Sequence, residues 1–178
     1  MTIKDESSGE PAPVDGSRRR FTQSGLAASG ILLTLAAQPV LGQTVCTTPS
    51  ISVSANLSRH GPVQTCNGQN PAFWISTDWA QANTTPTAKF STVFIGGSAY
   101  SGKTLHEVLA STDPTRTLGK YLVAALLNTR SGRTPFLKEA TLKAMYTQLL
   151  PPSFYFHPNA GVNWDAPTVI AYLIATQA

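Results

Sequence analysis

Apolar residues recur at helical spacing through the second half of the chain. Leu118, Tyr121, Leu122, Ala125 and Leu126 fall at i, i+3, i+4, i+7 and i+8, so they line one face of a helix. Asn128 and the Ser131-Gly132 turn are expected to end it. Leu142, Met145, Tyr146, Leu149 and Leu150 repeat the spacing. That helix is expected to start at Thr134-Pro135, with threonine as N-cap and proline in the first turn, and to stop at Pro151-Pro152. Upstream, Thr104 and Glu107 form a capping-box pattern ahead of LHEVLAS, which Pro114 closes. Downstream of an aromatic loop, SFYFHPN, Asp165 caps a last helix running through VIAYLIATQ. The earlier part reads differently. Ile51, Val53, Ala55 and Leu57 alternate with polar residues as in a short strand, and FSTVFI (90–95) is also strand-like. Gly61-Pro62, Gly68 through Pro71, and Asn83 through Thr87 mark loops. The expected fold is mainly α: a small single domain of about four to five helices with a short extended N-terminal part.

The first 42 residues follow another pattern. Residues 1–16 are polar and aperiodic, a flexible tip. Residues 17–42 combine a basic start with an uncharged stretch rich in Gly, Ala and Ser, which is the layout of an export signal. Ser17-Arg18-Arg19-Arg20-Phe21 resembles the twin-arginine translocation motif, with Arg18, Arg19 and Phe21 as its read positions. Ser24, Gly25, Ser29, Gly30 and Thr34 make the stretch a poor transmembrane helix, so the membrane is expected to matter only during export. Cleavage is expected after Gly42, leaving residues 43–178 as the mature globular domain. The implied partner is the twin-arginine export machinery. The implied address is extracytoplasmic: periplasm, cell surface or secreted.

Composition agrees with a folded, polar domain, since 42% of residues are hydrophobic and 12% charged. The net charge is +4, and residues 1–42 hold equal numbers of acidic and basic side chains, so the mature part keeps it. Its positive charges are scattered, with Arg130 and Arg133 the close pair in the last half. No stripe suited to nucleic acid results. Cys46 and Cys66 both fall in the mature part, and in an oxidising compartment two cysteines of one small domain pair. Closing that loop would stabilise the fold by about 3 kcal/mol in the chain-entropy model. Two buried thiols are the alternative.

Four stretches carry candidate chemistry. GSAYSGKT (97–104) satisfies the phosphate-loop pattern, yet no later apolar run ends in Asp to hold Mg²⁺, and an exported protein meets essentially no ATP. A capped helix at Thr104 accounts for the same residues. Arg59-His60-Gly61 resembles the start of a histidine-phosphatase site, but Val63 stands where that pattern wants a second arginine. His106-Glu107 opens H-E-x-x-H, with Ala110 in place of the second histidine. His157 is the remaining histidine that would have to complete a three-histidine site. A small exported hydrolase built on His60 or His106 is therefore the alternative to a protein without catalytic residues, metal or cofactor. Finally, Phe73, Trp74 and Trp79, like Phe154, Tyr155, Phe156 and Trp164, either fill the core or line a face for a cell-surface protein or glycan.

The order of motifs also resembles a loosely defined, uncharacterised group of bacterial secreted or surface-associated domains. Cys66-x-Gly68-x-x-Pro71-x-Phe73-Trp74 gives the Cys-x-Gly…Phe/Tyr-Trp start. Thr104-Leu105-x-x-Val108-Leu109 gives a Thr-Leu…Val-Leu helix, and Ala124-Ala125-Leu126-Leu127-Asn128 the Ala-Ala-x-Leu-Asn helix. Trp164 and Tyr172-Leu173 follow in order. Ala72 and Ile75 depart from the pattern, where glycine and a basic residue are usual. The resemblance implies an exported domain with a structural or binding role.

Overall fold

The computed structural model describes residues 47–54 and 66–177. Arg18, Arg19, Phe21, Cys46 and His60 lie outside them. Seven α-helices occur among the described residues: α1 Pro49–Ser52, α2 Pro71–Ser76, α3 Phe90–Val93, α4 Leu105–Leu109, α5 Thr117–Arg130, α6 Glu139–Gln148 and α7 Ala166–Ala175. Single 3₁₀ turns stand at Ala80–Ala82 and Pro114–Arg116. Extended pairing among these residues is limited to isolated bridges, Gly68 with Gln177, Lys89 with Thr104, and Phe156 with Trp164. The fold is mainly α. No described helix is long and apolar enough to cross a membrane.

α5 is the hub. It packs against α2, α4, α6, α7 and both 3₁₀ turns. Every residue from Leu122 to Asn128 is buried, so the helix is enclosed on all sides rather than along one stripe. The uninterrupted run LVAALL accounts for this, because a helix apolar all round has no face to offer water. Gly119 lets the helix approach the loop before α4. A Cβ there would stand 2.5 Å from the Tyr100 ring, and the Gly119 N–H donates to the Tyr100 hydroxyl at 3.0 Å.

Several expected elements change. The alternation at 51–57 is not a strand where it is described: Pro49 opens α1, and Ser52 and Ser54 donate their hydroxyls back to the carbonyls of Pro49 and Ser50. Four alternating positions are too few to exclude a helical turn. FSTVFI is α3, and Phe90, Val93 and Phe94 sit at i, i+3 and i+4, all buried. α4 ends at Leu109, and Pro114 opens a 3₁₀ turn instead of closing the helix. Thr134-Pro135 does not start α6. The Thr134 N–H points back to the Asn128 carbonyl and its own carbonyl accepts from Leu137, which keeps this stretch a turn on α5. The helix begins at Glu139, after Lys138. The elements are thus shorter and more numerous than periodicity alone suggests.

Aromatic packing joins the short helices to α6. Phe90 lies 4.7 Å from Phe94, 4.4 Å from Tyr100 and 5.3 Å from Tyr146, ring centroid to centroid, with stacked, tilted and edge-on geometries. At the other end, Asp165 caps α7 by accepting from the Thr168 N–H, as expected. Trp164 rests 5.2 Å from Tyr172, whose hydroxyl donates to the Thr47 carbonyl at 2.6 Å. Burial raises the Tyr172 hydroxyl far above its ordinary pKa, so it stays a donor at any physiological pH. Asn159 adds a second tie to α1, donating to the Ser50 carbonyl.

α5 and α6 are joined by charge. Arg130 donates from Nε and Nη2 to the two carboxylate oxygens of Glu139 at 2.9 and 3.0 Å, and Lys143 stands 2.8 Å away. These bonds, Arg130 first, depress the Glu139 pKa from 4.5 to about 2. A depressed carboxylate contributes stability that is complete above its unfolded pKa and disappears as pH falls through the folded one. The expected outcome is that Glu139→Gln flattens the loss of stability between pH 4.5 and about 2, measured by urea titration at stepped pH. An acid limb identical to the parent's would refute the bridge.

Candidate functional site

The corner between α2 and the C-terminal end of α5 gathers more of the singled-out residues than any other described part. Asn128, fully buried, presents its carboxamide to the segment ahead of α2. Its Oδ1 accepts from the Gln69 N–H at 2.8 Å and from Trp74 Nε1 at 3.0 Å, while Nδ2 donates to the Gln69 carbonyl at 2.9 Å. Two donors on one atom fix the orientation of the amide, since indole nitrogen can only donate. Asn70 then caps α2 by accepting from Phe73, and Pro71 takes the first helical position. Gly68 has no room for a side chain: a Cβ would meet the Thr176 carbonyl oxygen at 2.5 Å. The spaced residues Gly68, Pro71, Trp74 and Asn128 are therefore packing partners in one knot.

Of the three aromatics expected as a candidate binding face, two cannot serve. Trp74 and Trp79 are each 1% exposed, and the Trp79 Nε1 donates to the Trp74 carbonyl at 2.7 Å. Both rings fill the core, and the N–H of each finds a buried acceptor. Phe73 remains half-buried at the surface, edge-on to Trp74 at 5.2 Å. Beside it lies Arg133, a residue that the sequence singles out only as one of two neighbouring cations. Its guanidinium carbon sits 5.3 Å from the Phe73 ring centroid and 5.8 Å from that of Trp74. The later aromatics divide in the same way: Phe156 and Trp164 are buried, Phe154 and Tyr155 exposed.

GSAYSGKT is a turn wrapped around a buried tyrosine. Tyr100 is 5% exposed and plugs the aromatic core. Gly97 takes φ +71°, with Tyr146 and Leu150 closing over it, and Gly102 takes φ +71° in an open turn. The helix that follows leaves no N–H free for a phosphate. Leu105 donates to Ala88, His106 to Pro86 and Glu107 to the Thr104 hydroxyl, while the Thr104 N–H donates to the Glu107 carboxylate at 2.7 Å. The element ahead of the loop is α3, not a strand. Lys103 lies 3.7 Å from Glu107.

His106 is half-buried on α4, 6.2 Å from the Trp79 ring. His157 is exposed in the loop before Trp164, where its Nδ1 bonds Asn163 Oδ1 at 2.8 Å and its N–H donates to Gln148. Among the described residues no group of three or more His, Cys, Asp or Glu is placed to hold a metal. His157 does line a shallow cleft of about 490 Å³ between α1 and α6, with Phe136, Ala144 and Phe156 in its apolar lining and Lys138, Thr48 and Ser50 among its polar groups. Cys66 is nearly buried beside the knot, and the pairing expected for it falls on Cys46, outside the described residues. Comparison with family models, curated proteins and solved structures finds no match to this chain.

Two outcomes follow from the geometry. Asn128→Ala strands the Trp74 N–H and both polar groups of the Gln69 peptide, and each such group costs about 1–3 kcal/mol when left unpaired. The urea midpoint should fall by the equivalent of about 3 kcal/mol, with the dependence on urea unchanged. A smaller loss than an exposed alanine substitution would disprove the knot. Thr104→Ala should lower stability by about 1 kcal/mol through loss of the cap. Mg-ATP should raise the melting temperature of neither the parent nor Lys103→Ala. A rise in the parent that Lys103→Ala abolishes would restore the phosphate loop.

Proposed function

We propose that this chain is an exported structural or binding protein of the cell envelope or extracellular space. The observation that carries the reading is Ser17-Arg18-Arg19-Arg20-Phe21 followed by an uncharged, Gly- and Ala-rich stretch up to Gly42. On this reading the twin-arginine machinery takes the folded domain across the membrane, and the mature chain begins at Gln43. Folding before transport suits a domain whose hub helix is enclosed by elements drawn from α2 through α7. Cys46 and Cys66 pair after arrival in the oxidising compartment. The working surface is the Phe73 corner, where a half-buried aromatic ring and a half-buried cation lie side by side on the domain. The partner is a protein or glycan of the cell surface.

Fractionation tests this directly. The native chain recovered outside the cytoplasm should start at Gln43 and be lighter by the two hydrogens lost to a disulfide, by intact mass without reductant. Replacing Arg18 and Arg19 together by lysine should leave the full-length, reduced chain in the cytoplasm. A parent chain found full-length and reduced in the cytoplasm would overturn the proposal.

A further inference from the structure

The cleft between α1 and α6 carries charge of one sign. The turn after α5 buries Phe136 and Leu137 and brings Lys138, exposed, to the start of α6. Lys138 and Phe136 both line the cleft, and no described Asp or Glu does. The ion pairs among the described residues occupy Lys103, Arg116, Arg130 and Lys143, so the Lys138 ammonium has none. The Glu139 carboxylate, its neighbour in the chain, is held by Arg130 and Lys143 instead. Buried Phe136 and Phe156 form the base with Ala144. Around them stand neutral hydrogen-bonding groups, the Thr141 hydroxyl and the His157 ring among them. His157 Nδ1 donates to Asn163 Oδ1, because a carboxamide oxygen only accepts, so the neutral ring keeps its lone pair on Nε2.

We infer that this cleft binds the free C-terminus of a partner's polypeptide chain, one that ends in an apolar residue. A single ammonium without a counter-ion matches a singly charged carboxylate. Lys138 and Phe136 stand two positions apart and line one space, so the ligand has to carry its charge close to its apolar group. A C-terminal residue bears both on one carbon atom, whereas an internal acidic residue needs a neighbour to supply the apolar part. The volume, about 490 Å³, is that of a small-molecule site, but such sites enclose most of their ligand and this cleft is shallow and open. A chain end needs no enclosure, since the residues before it leave through the open side. His157 Nε2 is an acceptor for a peptide N–H of that chain, and the Thr141 hydroxyl a donor for a carbonyl. A uronic-acid glycan carries the same charge but would set ring hydroxyls against Phe136 and Phe156. The inference rests on the reading of the chain as a binding protein, and it gives the protein partner a contact that shares no residue with the Phe73 corner.

The test is NMR of the full chain, following the Thr141 amide and Phe136 ring signals as an N-acetylated pentapeptide ending in Val-Leu with a free carboxylate is added. Both signals should move and saturate, and high salt should weaken the interaction. The same peptide with a C-terminal amide should bind about tenfold more weakly, and so should the parent peptide to Lys138→Gln. A free acid ending in Ser in place of Leu should also lose affinity. Ala140→Glu, which sets a carboxylate in the cleft from an exposed position, should weaken binding as Lys138→Gln does. Lys120→Gln removes the same charge from a residue outside the lining and should change nothing. Signals that stay still, an amide that binds as well as the acid, or a Lys138→Gln chain that binds as well as the parent would overturn the inference. So would acetyl-leucine alone binding as tightly as the pentapeptide, which makes the cleft a small-acid site, or an oligouronate that shifts these signals where the peptide does not. If fractionation finds the mature chain outside the cytoplasm while the cleft stays silent, the C-terminus site fails and the exported protein stands. The opposite pair of results would remove export and keep the site.

Discussion

A single side-chain amide, buried at the end of a fully enclosed helix, reaches back 59 residues to hold the chain where it enters α2. The carboxamide of Asn128 meets the Gln69 peptide as one peptide meets another across a ladder, giving a donor and taking a donor. Trp74 then occupies the remaining lone pair. The interaction has force because water is excluded there: an unpaired amide in that place would cost more than the bonds contribute when made. Close approach is its precondition, and Gly68 provides it by leaving its Cβ position to the Thr176 carbonyl. Neither an acid nor an aliphatic residue of the same size can meet these demands at position 128.

Much else hangs on this point. Trp74, once fixed, offers its carbonyl to Trp79, so two large rings enter the core with their polar atoms satisfied. The carbonyl of Asn128 collects the N–H groups of Arg133 and Thr134, turning the chain sharply after α5 and setting Phe136 and Leu137 into the interior ahead of α6. Arg133 comes to rest over Phe73 through the same turn. A structural knot and a surface corner are thus two sides of one packing arrangement. The rigidity that the first requires is what would let the second act as a preformed site.

The phosphate-loop pattern shows how little a string of residue types says without its surroundings. Glycine, lysine and threonine stand at the right intervals in GSAYSGKT, but each is occupied by ordinary structure. Gly97 supplies a left-handed turn under Tyr146, Thr104 caps α4, and Lys103 lies beside Glu107. At the start of α4 the Leu105 and His106 N–H groups are taken by the carbonyls of Ala88 and Pro86, and those of Thr104 and Glu107 by the capping box. The tyrosine that the pattern treats as a wild card is the residue that the loop exists to bury.

Local chemistry was legible where a decision depends on neighbours in the chain. The capping box at Thr104 and Glu107, the cap at Asp165 and the body of α5 all follow from spacing and side-chain hydrogen bonding within a turn or two. So does the mainly α character. The extended reading of 90–95, and of the described part of 51–57, failed because runs this short satisfy both periods, and at 90–95 only burial of Phe90, Val93 and Phe94 on one side selects the helix. The roles of Asn128, Arg133 and the two tryptophans were out of reach for a different reason. An asparagine after a run of leucines reads from sequence as a helix stop, whereas the structure makes it a buried amide two residues before the helix ends. Which one it is depends on whether a peptide 59 residues away comes within hydrogen-bonding distance, and that is decided by the packing of the whole domain.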